Sequence, residues 1–385
     1  MRFRTFAWAA ALLGPGSVIA SGGVLESRID SVFAPLGKPA TPGVAVLVRQ
    51  GGRTVFEQGY GVRELRTKEK IDGRTDFRLA SCTKQFTAIA IMLLVQDGKL
   101  RYDETLGELF PDFPEYGRKI TLRQLLTHTA GLPDYEDLMA AAEKGGTPAW
   151  SPAHQIRDGE VLQLVERAKA GKFPAGTKWA YSNSAYVVLG LIVAKVSGEP
   201  FGRFLRDRIF APLGMNATLI YEKGVNTVPR RAFGYTLEGG MFVETDQSAT
   251  SATQGDGGVY SNLDDLAKWD DALQRNLLVS SAQMRVALTP VRLLGGAQPR
   301  WPAEPGDDNL APGKPVFYGF GWFLDPFEGR ERMWHFGSTA GFRTAIERFP
   351  QDGLTVVVLC NRTDLNPGVL ALRTAQIVLD ARQGR

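Results

Sequence analysis

Strand-like segments lie near both ends of this chain, and this distribution most limits how it can fold. Residues 43–49 and 54–61 are rich in apolar and β-branched side chains and flank a turn that contains Gly51 and Gly52, so they predict a β-hairpin. A two-stranded hairpin is not stable by itself in water. The hairpin therefore needs partners, and similar segments recur near the C-terminus, at 316–324, 333–336, 344–349 and 355–360.

Helical patterns dominate the middle of the chain and also occur near both ends. Helices are predicted over 24–36, 120–129, 158–170, 184–197, 201–211, 264–275 and 367–381, with a hairpin at 231–244 and a Gly- and Pro-rich loop at 295–315. The predicted fold class is α/β (α+β): an antiparallel sheet from the N- and C-terminal segments, flanked by helices, plus a mostly helical inserted lobe. We assign residues 24–80 and 316–385 to the α/β lobe and about 81–315 to the helical lobe.

The first twenty residues have the pattern of a secretory signal. Two arginines precede a short apolar segment, and Val18 and Ala20 place small residues at the −3 and −1 positions of a cleavage site. Pro15 breaks the apolar run, which falls short of the roughly 20 apolar residues that a membrane helix needs. We therefore expect a signal peptide over 1–20, export of residues 21–385 to the periplasm or the medium, and no membrane span after processing.

Charge and composition exclude several other classes. The formal net charge is +4, and two of those charges belong to the leader, which is too little to favour a nucleic-acid partner. The three histidines and two cysteines have no metal-ligand spacing, and there is no phosphate-loop motif, so neither a metal nor another cofactor is expected. A disulfide can form after export, but we expect Cys82 and Cys360 to be two buried thiols.

The first candidate catalytic pair is Ser81 and Lys84. On a helix, positions i and i+3 share a face, so the lysine amine can reach the serine hydroxyl. A desolvated lysine is one of the bases that activate a serine nucleophile. The alternative is an N-cap serine followed by a solvated lysine, and this pair alone does not decide between the two.

A second candidate group is Tyr181 and Asn183, which follow a Gly- and Pro-containing turn. A tyrosine near positive charge can transfer a proton, and an asparagine offers both a donor and an acceptor to a substrate amide. The same triplet recurs as Tyr260-Ser261-Asn262, where Asn262 stands at the N-cap position of the predicted helix 264–275. Asn183 can also be an N-cap of its own helix.

The third group begins at His335, at the end of a predicted strand. Small residues follow, including Gly337 and Ser338, and they allow a substrate backbone to come close and its oxyanion to meet main-chain N–H groups. A surface or capping histidine is the alternative. A Ser–His–acid triad is the competing chemistry, but the chain lacks the G-x-S-x-G elbow.

Together the three groups resemble the motifs S-x-x-K, Y-x-N and K/H-x-G of the serine β-lactamase and penicillin-binding-protein superfamily. They stand here in that order as Ser81-Cys82-Thr83-Lys84, Tyr181-Ser182-Asn183 and His335-Phe336-Gly337. The resemblance is to the class C-like branch, which includes class C β-lactamases, D-Ala-D-Ala carboxypeptidases, D-aminopeptidases and related esterases. It covers roughly residues 25–380. It favours Tyr181 over Tyr260, because the family's tyrosine follows a P-x-G turn.

The resemblance implies a role for each residue. Ser81 would be the nucleophile, Lys84 its general base or proton relay, and Tyr181 the second acid/base. The site would also contain Asn183 as an orienter of substrate and Lys84, His335 in the third wall, the N–H groups of Ser81 and Ser338 around the oxyanion, and Tyr135 near the substrate amide.

One departure limits the choice of substrate. Class C β-lactamases proper have lysine where this chain has His335, and a histidine is mostly neutral near pH 7. Arg343 is the residue that we expect to supply the missing charge to a substrate carboxylate. The chain is therefore predicted to be an exported serine hydrolase that forms an acyl-enzyme on a small ester, amide or β-lactam. The alternatives are a D-Ala-D-Ala carboxypeptidase or D-aminopeptidase, and a non-catalytic module that binds penicillin or peptidoglycan.

Overall fold

A computed structural model describes residues 19–144, 150–302 and 313–383. The α-helices of these residues are, in chain order, α1 (Ile19–Phe33), α2 (Lys84–Gln96), α3 (Leu106–Leu109), α4 (Leu122–Leu126), α5 (Tyr135–Lys144), α6 (Asp158–Arg167), α7 (Asn183–Ser197), α8 (Phe201–Leu205), α9 (Leu263–Arg275), α10 (Ser281–Ala287) and α11 (Pro367–Arg382). The strands are β1 (Val44–Gln50), β2 (Arg53–Tyr60), β3 (Phe77–Arg78), β4 (Leu219–Ile220), β5 (Tyr235–Glu238), β6 (Met241–Glu244), β7 (Val259–Ser261), β8 (Met333–Thr339), β9 (Phe342–Phe349) and β10 (Leu354–Cys360).

The main sheet joins the two ends of the chain, as the sequence predicted. Its five strands lie in the order β2-β1-β10-β9-β8, and every neighbouring pair is antiparallel. The N-terminal hairpin meets the C-terminal strands between β1 and β10, where Val44 lies opposite Cys360 and Gln50 opposite Leu354. The predicted fold class is confirmed.

The sheet separates two hydrophobic cores. Strands β1 and β10 are buried along almost their whole length, which explains their nearly uninterrupted apolar sequences. On one face, Ile29 and Phe33 of α1 and Ala371 and Ala375 of α11 pack against them. On the other face, a larger core continues into the helical lobe, where α2 is buried from Lys84 to Leu94. The start of α2 therefore lies at the junction of the sheet and the helices.

The segment 316–324 is not a strand, and that prediction was wrong. It forms only isolated bridges, from Tyr318 to Phe323 and from Phe323 to Trp334. Gly321 has a φ of +77°, and a Cβ there would lie 2.7 Å from the Lys84 carbonyl oxygen. The segment therefore folds back on itself against the first turn of α2 instead of extending the sheet.

Three predicted helices are shorter than expected, and the first is α6, which ends at Arg167 instead of at residue 170. Helix α4 covers only Leu122–Leu126 of the predicted 120–129; Thr121 caps it, and the chain leaves it through His128, whose φ is +59°. Helix α8 ends at Leu205 and continues as a π-helical turn, Arg206–Phe210. The predicted signal-sequence residues 1–18 and residues 303–312 of the predicted loop lie outside the described residues.

No single helix among the described residues is long and apolar enough to cross a membrane, although one bent pair, Asn183–Ser197 with Phe201–Phe210 at 78°, reaches that length and composition.

Candidate active site

Ser81 lies in a 3₁₀ turn, Ala80–Thr83, immediately before α2 rather than inside the helix. Ala80 has a φ of +49°, a backbone conformation that is costly for a residue with a Cβ. The turn is fixed from outside, because the N–H of Leu79 bonds to the carbonyl of Val259 in β7 at 2.8 Å. This strained turn presents Ser81 at the junction of the two lobes.

Lys84, the first residue of α2, is completely buried beneath that turn. Its Nζ lies 3.1 Å from Ser81 Oγ, 2.8 Å from Asn183 Oδ1 and 3.0 Å from the carbonyl oxygen of Asp256. It also lies 4.8 Å from the centre of the Tyr181 ring. A buried amine held this way has no resemblance to the solvated lysine that the alternative interpretation required.

Ser182, not Asn183, caps helix α7, because Ser182 Oγ accepts the N–H of Ala185. Asn183 is the first residue of the helix, and its side chain is directed to Lys84. Its own N–H donates to Asp134 Oδ2 at 2.9 Å. Ser182 therefore begins the helix, and Asn183 supplies a polar group to the site.

The second triplet has a structural role. Asn262 caps α9 by accepting the N–H of Asp265 at 2.9 Å, as its position in the sequence suggested. Tyr260 is buried in β7, with its hydroxyl near Arg231. Among the two tyrosines, it is Tyr181 that lies beside Lys84.

Gly337 brings strand β8 against the serine-bearing turn. A Cβ at this position would lie 2.2 Å from the carbonyl oxygen of Leu79 and 2.4 Å from Thr344 Oγ1. The sequence led us to expect that this glycine admits a substrate backbone. In the structure the close approach is made by the chain's own backbone, two residues before Ser81.

His335 lies under the third wall of the site, not on its surface. It is 1% exposed, and because alternate residues of a strand face opposite sides, Phe336 and Ser338 turn towards the cavity instead. His335 Nε2 is 3.3 Å from the Tyr318 hydroxyl, and Nδ1 is 2.6 Å from the carbonyl oxygen of Phe336. Burial, and then the charge of Lys84, lower the pKa of His335 to about 3.

A cavity of about 300 Å³ opens above the serine. Of the predicted residues, Ser81, Tyr181, Asn183 and Ser338 line it. The other lining residues are Glu136, Ser248, Thr250, Trp301, Phe323, Phe336, Thr339 and Ala340. The cavity is thus lined by both polar and aromatic side chains, and among the aromatic ones Trp301 and Phe323 stack with their ring centres 5.6 Å apart.

Two predicted site residues lie elsewhere. Tyr135 is 1% exposed, because its position in α5 directs the side chain into the core behind Lys84. Its hydroxyl donates to Asp256 Oδ2 at 3.1 Å. Arg343 does not line the cavity, since its Nη1 donates to the carbonyls of Thr339 and Phe342 in the β8–β9 turn, each at 2.8 Å. Neither arrangement matches the substrate contact that we expected.

The sequence interpretation missed several residues that support the site. Asp256 acts through its main-chain carbonyl, so its side-chain type gives no signal. His128 belongs to none of the three motifs, and its positive φ is visible only in the structure. Glu136 lines the cavity, and the sequence signal for it was its position directly after the predicted site residue Tyr135.

The described residues contain no group of three or more His, Cys, Asp or Glu side chains placed to hold a metal ion. Cys82 and Cys360 are both free and buried. The Cys82 Sγ lies 3.3 Å from the carbonyl oxygen of His335 and so packs between the serine turn and β8.

Comparison with known proteins gives consistent results. A family model described as Beta-lactamase matches residues 29–380. Penicillin-binding protein 4* of Bacillus subtilis is 31% identical over 354 residues, which cover 88% of this chain and 72% of that protein. Among solved structures, a D-amino acid amidase from Ochrobactrum anthropi complexed with L-phenylalanine amide has a TM-score of 0.75 and 25% identity, covering 93% of this chain and 99% of the amidase. An octameric penicillin-binding protein homologue from Pyrococcus abyssi has a TM-score of 0.74 and 26% identity, covering 93% and 77%.

Proposed function

The chain belongs to the beta-lactamase family, and we propose that it is a serine hydrolase in which Ser81 is acylated by a small amide or ester. The observation that carries this proposal is the set of three contacts around Lys84 Nζ. Two of the three partners, Asn183 Oδ1 and the Asp256 carbonyl, can only accept hydrogen bonds. Only the contact with the Ser81 hydroxyl can run in either direction.

This arrangement suits a general base. In its deprotonated form the Lys84 amine has two N–H bonds and one lone pair, so the two carbonyl oxygens accept the N–H bonds and leave the lone pair for the Ser81 hydroxyl. Lys84 then accepts the proton as Ser81 Oγ bonds to the substrate carbonyl carbon. We assign stabilisation of the resulting oxyanion to the N–H groups of Ser81 and Ser338, two residues that both line the cavity.

Tyr181 is the proposed donor to the leaving group. It lines the cavity and lies over Lys84 Nζ, so a proton can pass from the lysine through the phenol to the departing nitrogen or oxygen. The bond from the carbonyl carbon to that atom breaks, and the protonated leaving group departs. Water then hydrolyses the ester on Ser81, which releases the acid and restores the serine.

Intact-protein mass spectrometry after incubation with a fluorophosphonate tests the nucleophile. We expect one adduct, located on Ser81, and none on Ser81→Ala. Ser248→Ala is the matched control, because Ser248 lines the same cavity and has no lysine partner among the described residues. An adduct of equal yield on Ser81→Ala would refute the proposal.

The charge of the cavity favours a particular substrate class. Glu136 is the one acidic side chain among the described residues that line it, and Lys84 lies buried beneath. None of the described lining residues is an arginine or a lysine that could offer a carboxylate the charge that Arg343 was expected to supply. We therefore propose an amide substrate that carries an ammonium group near the scissile bond, in keeping with the amidase among the similar structures.

Paired substrates test this choice. Phenylalanine amide, in both enantiomers, should be hydrolysed faster than its N-acetyl derivative, and Glu136→Gln should remove the difference. Glu143→Gln is the control, because Glu143 lies on the same helix, exposed and away from the cavity. Nitrocefin and p-nitrophenyl esters, measured in parallel, distinguish β-lactamase and esterase activity. A preference for the acetylated amide would count against the ammonium proposal.

A non-catalytic binding module is the second candidate. It would be supported by an adduct on Ser81 that persists for hours with no substrate turned over. Export is also a proposal, based on residues 1–20 alone. It predicts that the mature protein begins near Ser21, which N-terminal sequencing of protein from an expressing bacterium can check, and a retained Met1 would contradict it.

A further inference from the structure

Arg78 is a buried cation that has no carboxylate partner among the described residues. It lies in β3, three residues before Ser81, and is 3% exposed. The other buried arginines of the described chain each form an ion pair: Arg49 and Arg348 with Asp270, and Arg332 with Asp325. A charge that is removed from water normally requires such a pair. The positive charge of Arg78 is instead held by neutral oxygen atoms, and these connect it to the active-site cavity.

The guanidinium of Arg78 binds one loop of the cavity wall. Its Nη1 donates to Ser251 Oγ at 2.7 Å and its Nη2 to the Ser251 carbonyl at 3.2 Å, while its Nε donates to the Gly257 carbonyl at 3.3 Å. Ser251 is buried, whereas Ser248 and Thr250 of the same loop line the cavity. The side chains of Arg78, Ser251, Ser248 and Thr250 form one chain of hydrogen bonds, which we call the hydroxyl relay.

The hydrogen bonds of the hydroxyl relay can run in only one direction. A hydroxyl has one hydrogen and two lone pairs. Ser251 Oγ accepts from Arg78 and from the N–H of Ser248 at 2.9 Å, so its own hydrogen goes to Ser248 Oγ, 3.2 Å away. Ser248 Oγ also accepts the N–H of Thr250 at 3.3 Å, so its hydrogen goes to Thr250 Oγ1, 3.1 Å away. The hydroxyl hydrogen of Thr250 then has no acceptor among the described residues.

The hydroxyl relay therefore ends in a hydrogen-bond donor at the cavity wall. Every hydroxyl in it donates away from the guanidinium, so the O–H dipoles are aligned and each strengthens the next. An oxygen that only accepts, such as that of a carbonyl or a carboxylate, suits the terminal O–H of Thr250. A carboxylate suits it best, because hydrogen bonds to charged acceptors are stronger than those between neutral groups.

We propose that Thr250 determines specificity by donating to an acceptor oxygen on the acyl side chain of the substrate, and that Arg78 is the positioning residue that directs the Thr250 hydroxyl. This inference rests on the proposed function. In an amino-acid amide the leaving group is ammonia, so the acyl side chain is the part that fills the rest of the cavity. The substrate class is thus an amino-acid amide with a carbonyl or a carboxylate in its side chain, the carboxylate being preferred.

A series of amides tests Thr250. Leucine amide, asparagine amide and aspartate α-amide branch at the same side-chain atom and offer no acceptor, a neutral acceptor and an anionic acceptor. Glutamate α-amide extends the reach by one carbon, and each amide is measured as both enantiomers. Because the aromatic residues of the cavity also favour leucine, the quantity compared is the ratio of kcat/KM for the better acid to that for leucine amide. Thr250→Val, which replaces the hydroxyl by a methyl group, should lower this ratio about tenfold.

Thr227→Val is the matched control for Thr250→Val. Thr227 is exposed and does not line the cavity, so this variant should keep the wild-type ratio. A loss of stability alone would lower the rates for all the amides together and would leave the ratio unchanged. The proposal is overturned if Thr250→Val keeps the wild-type ratio, or if the two variants lower it equally.

Ser251→Ala tests the connection to Arg78. It removes the hydroxyl between the guanidinium and the two cavity hydroxyls, but it keeps the bond from Arg78 Nη2 to the main-chain carbonyl of residue 251. Thr250 can then donate to Ser248 instead of to substrate, so the ratio should fall. Ser251→Ala should cause no further fall in the Thr250→Val protein, because both changes act on the same hydrogen. Equal falls with and without Thr250→Val would refute the hydroxyl relay.

Binding separates this inference from the proposed function. Ser81→Ala protein is titrated calorimetrically with the better acid and with leucine amide, and adding Thr250→Val should lower the ratio of the two affinities about tenfold. If the fluorophosphonate fails to label Ser81 but this ratio falls, the proposed hydrolase function fails and the role of Thr250 stands. If Ser81 is labelled but the ratio does not change, the role of Thr250 fails and the hydrolase function stands.

Discussion

The imidazole of His128 lies against the phenol of Tyr181, with the ring centres 4.4 Å apart. His128 also bonds to both chain neighbours of that tyrosine: its carbonyl accepts the N–H of Ala180, and its Nδ1 accepts the N–H of Ser182, each at 3.1 Å. Because Nδ1 accepts a hydrogen bond, the ring must be neutral there. Burial, and then the charge of Lys84, keep the pKa of His128 well below its usual range.

His128 is therefore expected to position Tyr181 without touching substrate. His128→Ala should lower kcat about 100-fold with little change in KM, since a misplacement of about 1 Å at a reacting group costs that much. His128→Asn should recover much of the loss, because asparagine tolerates a positive φ and its Oδ1 can accept the Ser182 N–H. Steady-state kinetics on the best amide substrate, with thermal unfolding of each variant, provides the measurement. If both variants lost activity only in proportion to lost stability, His128 would be merely structural.

Ser182 and Asn183 should have separable effects. Ser182→Ala removes the cap of α7 and should lower the free energy of unfolding by about 1 kcal/mol, with the rate of Ser81 acylation nearly kept. Asn183→Ala keeps that cap but leaves Lys84 Nζ without one of its two obligate acceptors, so acylation should slow more than tenfold, or about 1.4 kcal/mol. Urea unfolding and fluorophosphonate labelling rates check the pair. The reverse order of effects would contradict the assignment of these residues.

Gly337 should be intolerant of any side chain. In Gly337→Ala the new Cβ meets the Leu79 carbonyl, which belongs to the backbone that carries Ser81 and has little room to move. We expect a loss of about 1–3 kcal/mol in the free energy of unfolding and slower acylation, because β8 must shift away from the serine turn. Gly257→Ala is the control: its Cβ would lie 3.6 Å or more from Ala80, so it should stay within about 1 kcal/mol of the wild type. Similar losses in the two variants would show that the contact at Leu79 relaxes easily.

Much of the fold could be predicted, because the strand patterns at 43–61 and 344–360 are strong and periodic. The strand prediction failed at 316–324. The apolar residues of this segment cover the first turn of α2, and its glycines form a bend instead of part of a strand. Apolar composition alone does not distinguish these two uses.

Within the site, the motifs located residues better than orientations. Ser81 and Asn183, which belong to two of the motifs, both lie within hydrogen-bond distance of Lys84. It did not reveal that Ser182 takes the cap, that His335 faces inward, or that Arg343 belongs to a turn. These features depend on which face of a strand a residue occupies and on contacts with backbone groups. The pattern of side chains along the sequence does not indicate either.

The burial of His335 predicts a pH dependence of stability. The pKa of His335 is about 3 in the folded protein, against an ordinary value of 6.5. At a pH between these two values, the unfolded chain binds a proton at this residue and the folded protein does not. The free energy of unfolding should therefore fall as pH decreases, and this residue should contribute a loss of about 2 kcal/mol between pH 7 and pH 5. His335→Gln cannot take up that proton, whereas Glu347 is the same in both proteins and cancels in the comparison. Urea unfolding at several pH values should thus show the wild type losing about 2 kcal/mol more than the variant over that interval. If the free energies of unfolding of the two proteins changed with pH in parallel, His335 would bind a proton as readily in the folded protein as in the unfolded chain.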